Sequence, residues 1–196
     1  MAAPSLGDRT LAVAVPTELP SALLTDCTDG AVQSPAIVHV AAAATASPVR
    51  SASMRTAVIT GAGRGLGRAT ALRLARDGFR VVALDLDGDA AAETAALTDG
   101  VGHQCDVTDP AAVREVAVKV ERCDALVNNA GIWRFHSLLD MSPDDARAVL
   151  DVNVLGLTFV SQAFVPKMIE GGGGSIVNLS SGAAWTHSPG VGIYPA

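Results

Sequence analysis

Short runs of β-branched and apolar residues alternate with longer alanine- and leucine-rich stretches from Arg55 to the end of this 196-residue chain. The short runs have the length of strands, and the longer stretches have the length and period of helices. This alternation is typical of strand–helix–strand units, whose strands lie parallel in one sheet. We therefore predict an α/β fold with a doubly wound parallel sheet, and we place its strands at residues 56–60, 80–84, 102–105, 125–128 and 175–179.

The first 53 residues have a different character from the rest. They are rich in Ala, Ser, Thr and Pro and show no sustained helical or strand period. We predict that residues 1–53 are an unstructured leader, dispensable or created by a misassigned start, and that the folded domain spans residues 54–196. Met54, at this junction, is the alternative start. Within the domain, Asp109 before Pro110 and Ser142 before Pro143 each predict a capped helix start.

Charge and cysteine usage exclude several classes of function. A net charge of −6 and a pI near 5.0 disfavour nucleic acid, whose binding needs a basic face. The three cysteines are widely spaced, without the paired spacing of a zinc or redox site, so we expect no metal and a reducing cytoplasm. The longest apolar run, residues 36–46, is about half the length of a membrane span, so we predict no transmembrane helix.

Residues 60–67 read Thr-Gly-Ala-Gly-Arg-Gly-Leu-Gly between a predicted strand and a predicted helix that runs to about Asp77. Glycines let the backbone approach a diphosphate, whose charge the helix N-terminus stabilises. The register does not fit G-x-G-x-x-G, because Leu66 takes the last glycine position, and no P-loop lysine follows. Taken alone, the segment could also be only a tight turn.

The pattern that does fit is Thr-Gly-x-x-x-Gly-x-Gly, formed by Thr60, Gly61, Gly65 and Gly67. Residues 128–131 read Asn-Asn-Ala-Gly, and Tyr194 lies thirteen residues after Ser181. In these motifs the chain resembles the short-chain dehydrogenase/reductase family. The resemblance implies a Rossmann-type fold, a nicotinamide dinucleotide, hydride transfer to or from a small alcohol or carbonyl substrate, and a homo-oligomer.

The resemblance also implies a set of cofactor-binding positions. Asp106 would bind the exocyclic amine of the adenine, the Val107 N–H would bind a ring nitrogen, and the small residues after Asn128 would let the adenosine approach. The implied cofactor-binding residues are Thr60, Gly61, Arg64, Gly65, Leu66, Gly67, Asp85, Asp106, Val107, Asn129, Ala130 and Gly131.

Asp85 bears on the choice between NAD and NADP. It stands eighteen residues past Gly67, at the end of the second predicted strand, where a carboxylate can bind the adenosine ribose and repel a 2′-phosphate. Arg64 opposes this, because a basic residue there assists phosphate binding in related enzymes. We predict NAD, with NADP as the alternative; Asp85 could also be a solvated turn residue beside Asp87 and Asp89.

Three catalytic residues are implied by the same resemblance. Tyr194 would exchange a proton with the substrate oxygen, Ser181 would orient that oxygen, and Asn153 would hold a water on a proton path. Asn153 could instead be a structural amide, since it lies in an apolar helical stretch. His136, Trp185 and His187 are either pocket or ordinary loop residues.

The family places a lysine four residues after the tyrosine, but this chain ends at Ala196. We therefore expect the chain as given to be inactive, its sheet incomplete at the C-terminus, and the fifth predicted strand to be an exposed edge that lowers stability. The alternative function is a non-catalytic dinucleotide-binding fragment.

Overall fold

The computed structural model of the protein describes residues 38–41, 54–184, 190 and 192–194. The strands are β1 Val38–Ala41, β2 Arg55–Thr60, β3 Phe79–Asp85, β4 Val101–Gln104, β5 Ala125–Asn128 and β6 Ser175–Leu179. The α-helices are α1 Gly65–Arg76, α2 Gly88–Leu97, α3 Pro110–Lys119, α4 Pro143–Leu150 and α5 Leu157–Glu170. A π-helical segment, Asp151–Gly156, joins α4 to α5, and a 3-10 turn, Gly182–Ala184, follows β6.

The strands form one sheet in the order β1-β6-β5-β2-β3-β4. Strands β2 to β6 are mutually parallel, which confirms the predicted α/β parallel sheet, and each predicted strand is found to within one residue at either end. The chain proceeds from β2 outward to β4, then returns to the other side of β2 with β5 and β6. Ligands of such sheets bind at this reversal, beyond the carboxyl ends of the strands.

The first strand, β1, was not predicted. It pairs antiparallel with β6, from Val38 opposite Leu179 to Ala41 opposite Ile176. The expectation of no regular structure is therefore wrong for these four residues, as is that of an exposed edge at β6. A free edge presents unpaired N–H and C=O groups, which a four-residue segment can satisfy although its pattern is too short to stand out in the sequence. The other residues of the 1–53 segment lie outside the described part of the chain.

The core lies on both faces of the sheet. On one face, Val58 and Leu126 pack with Phe164 of α5, and on the other, Ile59 and Val127 pack with Ala71 of α1. Neighbouring residues of a strand face opposite sides, so a strand covered by helices on both faces is apolar throughout. This explains why β2 has the consecutive apolar residues Ala57, Val58 and Ile59 at its centre and is buried from Thr56 to Thr60.

Both predicted helix starts are confirmed. The Asp109 carboxylate accepts a hydrogen bond from Ala111 N at 2.8 Å, and the Ser142 hydroxyl accepts one from Asp145 N at 3.1 Å. A proline occupies the first turn in each case, where no backbone N–H is needed.

The α4, π-helical and α5 segments form one continuous helix, Pro143–Glu170, that is long and apolar enough to cross a membrane. Length and composition are weak evidence, because a helix that packs on a sheet can meet the same test. Here Val160, Phe164 and Met168 of α5 are buried in the core against the sheet. The α5 part of this helix therefore belongs to the packed α/β fold.

Candidate functional site

The glycine-rich segment forms the turn between β2 and α1, at the carboxyl edge of the sheet. Gly61 and Gly65 have φ angles of 62° and 55°, the left-handed region that favours glycine. No side chain caps the start of α1, and its first turn has no acidic residue. The first backbone N–H groups of a helix lack partners within it, so this end can bind an anion.

Gly67 is buried where α1 passes closest to the end of β2. A Cβ atom at this position would overlap the Gly61 carbonyl oxygen and lie 2.5 Å from Asn129 Nδ2. Only glycine fits at position 67, because no space is left for a side chain between α1 and β2. Its backbone angles are not the reason.

Thr60 and Asn129 bind the glycine turn to the Asn-Asn-Ala-Gly segment across the sheet. The Thr60 hydroxyl accepts hydrogen bonds from the backbone N–H groups of Asn129 and Ala130, each at 3.0 Å. Asn129 Nδ2 donates in return to the carbonyl oxygens of Thr60 and Gly61, at 2.8 and 3.0 Å. Two motifs nearly seventy residues apart thus form one hydrogen-bonded unit at the strand reversal.

We expect Thr60→Val to destabilise the protein by about 2–4 kcal/mol, because the two N–H groups lose their acceptor at a buried site and each costs about 1–3 kcal/mol. Thr60 is 2% exposed, so water cannot replace its hydroxyl. Urea unfolding of the wild type and the variant measures the change. Thr60→Ser retains the hydroxyl and should stay within about 1.5 kcal/mol of the wild type; a Val variant as stable as the Ser variant would contradict the role of these two bonds.

Helix α2 and strand β3 hold the other side of the glycine turn. Ala62 N donates to Leu84 O at 3.0 Å, and Ala62 O accepts from the Thr94 hydroxyl at 2.9 Å. Arg68 Nε donates to the same hydroxyl at 3.0 Å, so α1, α2 and the turn share one hydrogen-bond chain. Sequence reasoning missed Thr94 and Arg68; the available signal was a single threonine between Ala91 and Ala95 on the buried face of an alanine-rich helix.

Asp85 lies at the end of β3, and its carboxylate is already fixed beside the turn. Its Oδ2 accepts from Gly63 N at 2.7 Å, and its Oδ1 accepts from Asp87 N at 3.0 Å. The side chain is half-buried, whereas Arg64 in the turn is exposed. The carboxylate therefore has a set position next to the anion-binding end of α1.

Asp106 and Val107 follow β4, as predicted. Asp106 is exposed, and its Oδ1 accepts from the backbone N–H and hydroxyl of Thr108, at 2.9 and 2.7 Å. Val107 is buried, and a Cβ atom on Gly156 would lie 2.8 Å from its Cγ2. The π-helical segment therefore packs directly against the loop that was predicted to bind adenine.

Asn153 lies inside this π-helical segment. Its Oδ1 accepts from Ile132 N at 2.8 Å, and its Nδ2 donates to Ile132 O at 2.9 Å. Single-turn π-helices inside α-helices occur frequently at functional sites. Both ends of the Asn153 amide are thus engaged with the residue that follows Gly131, which fits the structural-amide alternative for the side chain.

Ser181 and Tyr194 lie beyond the carboxyl end of β6. The Ser181 hydroxyl oxygen accepts from Ala183 N at 3.2 Å. Tyr194 is half-buried, and its ring meets the Trp133 ring edge-on, with centroids 6.3 Å apart. His136 is exposed, with Nε2 3.8 Å from Asp145 Oδ2. Trp185 and His187 lie outside the described residues.

The two described cysteines are not candidates for catalysis. Burial raises the pKa of the Cys105 thiol to about 11 and that of Cys123 to about 12. Thiols of this kind stay protonated at neutral pH and are poor nucleophiles. Within the described part of the chain, no group of three or more His, Cys, Asp or Glu residues could hold a metal ion.

The family model described as "short chain dehydrogenase" matches residues 55–196 of this chain. The (3R)-3-hydroxyacyl-CoA dehydrogenase of Canis lupus familiaris is 40% identical over 154 residues, which cover 69% of this chain and 59% of that protein. The 3-oxoacyl-[acyl-carrier-protein] reductase FabG of Thermotoga maritima is 38% identical over 151 residues, covering 72% and 61%.

Solved structures give the same result. An NAD⁺-bound xylitol dehydrogenase superimposes with a TM-score of 0.69 at 34% identity, over 72% of this chain and 58% of that one. The chain spans about 59% of the length of the canine dehydrogenase and about 61% of that of the Thermotoga maritima reductase. The family match covers most of the chain, including the glycine turn, Asp85 and the Asn-Asn-Ala-Gly segment. The protein belongs to the short-chain dehydrogenase family.

Proposed function

We propose that this chain binds a nicotinamide dinucleotide, NAD in preference to NADP, and belongs to an oxidoreductase that interconverts an alcohol and a carbonyl compound. The observation that carries the proposal is the glycine turn at the uncapped start of α1, held by hydrogen bonds with Asn129, Thr94, Asp85 and Leu84. The rigid turn supports binding of a diphosphate, because its backbone amides need no rearrangement when the anion arrives.

The residues present fit a dinucleotide. Gly67 lets α1 pack closely against β2, and Gly65 has nothing within 4 Å of a Cβ placed there, so a diphosphate can reach the backbone at the start of α1. Leu66 is 49% exposed at the start of α1, and Ala130 and Gly131 place only small side chains beside the turn. We propose that these residues, with Asp106 and Val107 at the adenine end, hold the cofactor.

The preference for NAD rests on the charge and position of Asp85. A carboxylate accepts hydrogen bonds from ribose hydroxyls and repels the 2′-phosphate of NADP. Since two backbone N–H groups fix the Asp85 carboxylate, it cannot turn away from a phosphate without losing both bonds. The exposed Arg64 is the residue that would favour NADP.

When bound, the dinucleotide donates or accepts a hydride. In the proposed reaction the Tyr194 phenol gives a proton to the substrate oxygen or takes one from it, and the Ser181 hydroxyl orients that oxygen by a hydrogen bond. Asn153 positions the loop that begins at Gly131, since its amide binds both backbone groups of Ile132.

We expect Asp85→Asn to lower the ratio of NAD to NADP affinity by about 10–100-fold, because hydrogen bonds to a charged group are worth about 1.5–3 kcal/mol and the repulsion of the 2′-phosphate is removed. The amide keeps an oxygen for Gly63 or Asp87, so the turn should stay folded. Calorimetric titration of both dinucleotides measures the ratio.

Asp89→Asn is the matched control, since Asp89 is an exposed carboxylate four residues away in the first turn of α2. It removes the same charge without touching the turn and should leave the ratio unchanged. Tighter binding of NADP than of NAD by the wild type would refute the preference. No binding of either dinucleotide would refute the proposed function itself.

A further inference from the structure

The loop after Ile132 separates its aromatic side chains from its basic ones. Trp133 contacts Phe135, with ring centroids 5.9 Å apart, and also contacts Tyr194. Arg134 and His136, which alternate with them, lie near Asp145: Arg134 Nε is 3.3 Å from Asp145 Oδ1, and His136 Nε2 is 3.8 Å from Oδ2. His136 N also donates to Arg134 O at 3.1 Å, which closes a tight turn at Phe135. The aromatic rings thus contact one another and the two basic side chains lie at Asp145, so one side of the loop is aromatic and the other basic.

Asp145 keeps the basic side chains away from Tyr194. It lies in the first turn of α4, and its Oδ2 accepts from the Ser142 hydroxyl at 2.7 Å. The carboxylate is thus fixed at the helix N-terminus, where negative charge is stabilised. Because Asp145 holds both Arg134 and His136 on its own side, the side chain that this loop presents to the Tyr194 ring is the aromatic one of Trp133.

The two aromatic residues also contact the segment that carries Tyr194. A Cβ atom on Gly190 would lie 3.2 Å from Phe135 Cζ, and the Trp133 ring meets the Tyr194 ring edge-on at an interplanar angle of 78°. Even so, Trp133 is 52% exposed and Phe135 is 68% exposed. The two rings are tilted by 40° to one another, and the exposed face of each offers an apolar surface to a molecule whose oxygen binds Tyr194.

Building on the proposed function, we propose that Trp133 and Phe135 set substrate specificity, and that the substrate is a secondary alcohol or ketone with a flat, uncharged aryl group on the reacting carbon. Polyols and anionic chains fit this surface less well, because an aromatic ring face offers them no conventional hydrogen bond and the Arg134 guanidinium of the same loop is paired with Asp145. In the oxidation, the carbinol carbon loses hydride to the oxidised dinucleotide and the hydroxyl proton passes to the Tyr194 phenolate, leaving a C=O bond.

The test compares three alcohols with the complete protein that contains this chain: 1-phenylethanol, 1-cyclohexylethanol and threitol. We expect kcat/KM to be highest for 1-phenylethanol, about tenfold above the non-aromatic ring, since aromatic pairs add about 0.5–1.5 kcal/mol beyond their buried area. Trp133→Leu should remove this preference, mainly by raising KM for 1-phenylethanol. Trp133→Phe should restore most of it, because a flat ring is retained.

Leu139→Ala is the matched control: Leu139 lies in the same loop, is 93% exposed, and should leave the three values unchanged. A preference for threitol, or a preference for 1-phenylethanol that Trp133→Leu leaves intact, would overturn the substrate assignment while the oxidoreductase function stands. If the dinucleotide binds but none of the three alcohols is oxidised, the substrate assignment fails alone. If calorimetry detects no dinucleotide binding, the proposed function fails and the substrate assignment fails with it.

Discussion

Replacing Gly67 by alanine is expected to weaken dinucleotide binding by at least about 100-fold, which corresponds to about 2.7 kcal/mol. The new Cβ would overlap the Gly61 carbonyl oxygen and crowd Asn129 Nδ2, so α1 must move away from β2. That movement separates the helix N-terminus from the turn and breaks the Asn129 bond to Gly61. Calorimetric titration with NAD measures the loss, and thermal unfolding reports the accompanying destabilisation.

Gly65→Ala separates the effect of crowding from that of backbone conformation. Gly65 has a φ of 55°, yet nothing lies within 4 Å of a Cβ placed there. Alanine at this position therefore costs about 1–2 kcal/mol of backbone strain but no overlap. We expect its binding loss to be clearly smaller than that of Gly67→Ala. If the Gly65 variant lost as much affinity as the Gly67 variant, or more, the close helix–strand approach would not be what limits binding.

The sequence predicted the parts of this fold that local patterns determine. The strands are short apolar runs, the starts of α3 and α4 carry a capping residue followed by proline, and the glycine motif fixes a turn by the residues it contains. Each of these features is determined by residues that lie close together in the sequence. The spacing of the motifs also placed Asp85 and Asn129 at the carboxyl edge of the sheet, since both follow strands that run parallel to β2.

The contacts that hold the site together could not be predicted in the same way. Thr94 reaches Ala62 across thirty-two residues, and Thr60 reaches Asn129 across sixty-nine, so neither bond leaves a periodic signal. The π-helical segment at Asn153 depends on the pairing of its amide with Ile132. Strand β1, which pairs with the edge of β6, was missed because Val38 and Val40 give only a short strand pattern and its partner lies about 140 residues away in the sequence.

Replacing Tyr194 by phenylalanine is expected to reduce turnover by about 10²–10⁴-fold, the usual contribution of a positioned general acid or base. The substitution removes only the hydroxyl, so the edge-on contact with Trp133 and the ring's packing should remain. Dinucleotide affinity should therefore stay within about twofold of the wild type, since a substitution away from the residues that bind the dinucleotide usually changes a free energy by less than about 0.5 kcal/mol. Single-turnover hydride transfer by the complete protein, followed by dinucleotide absorbance, measures the rate.

If only the turnover rate falls, Tyr194 acts in proton transfer and not in dinucleotide binding. The two roles lie on different strands, because the glycine turn follows β2 and Asp85 ends β3, whereas Tyr194 follows β6. Ser180→Ala is the control: Ser180 is exposed next to Ser181 and should leave the rate unchanged. A Tyr194→Phe variant that keeps more than about a tenth of the wild-type rate would show that another group, or water, exchanges the proton, since the loss would then fall below the general acid–base range. Ser181 could still orient the substrate oxygen in that case, because a hydrogen bond from its hydroxyl does not depend on the phenol.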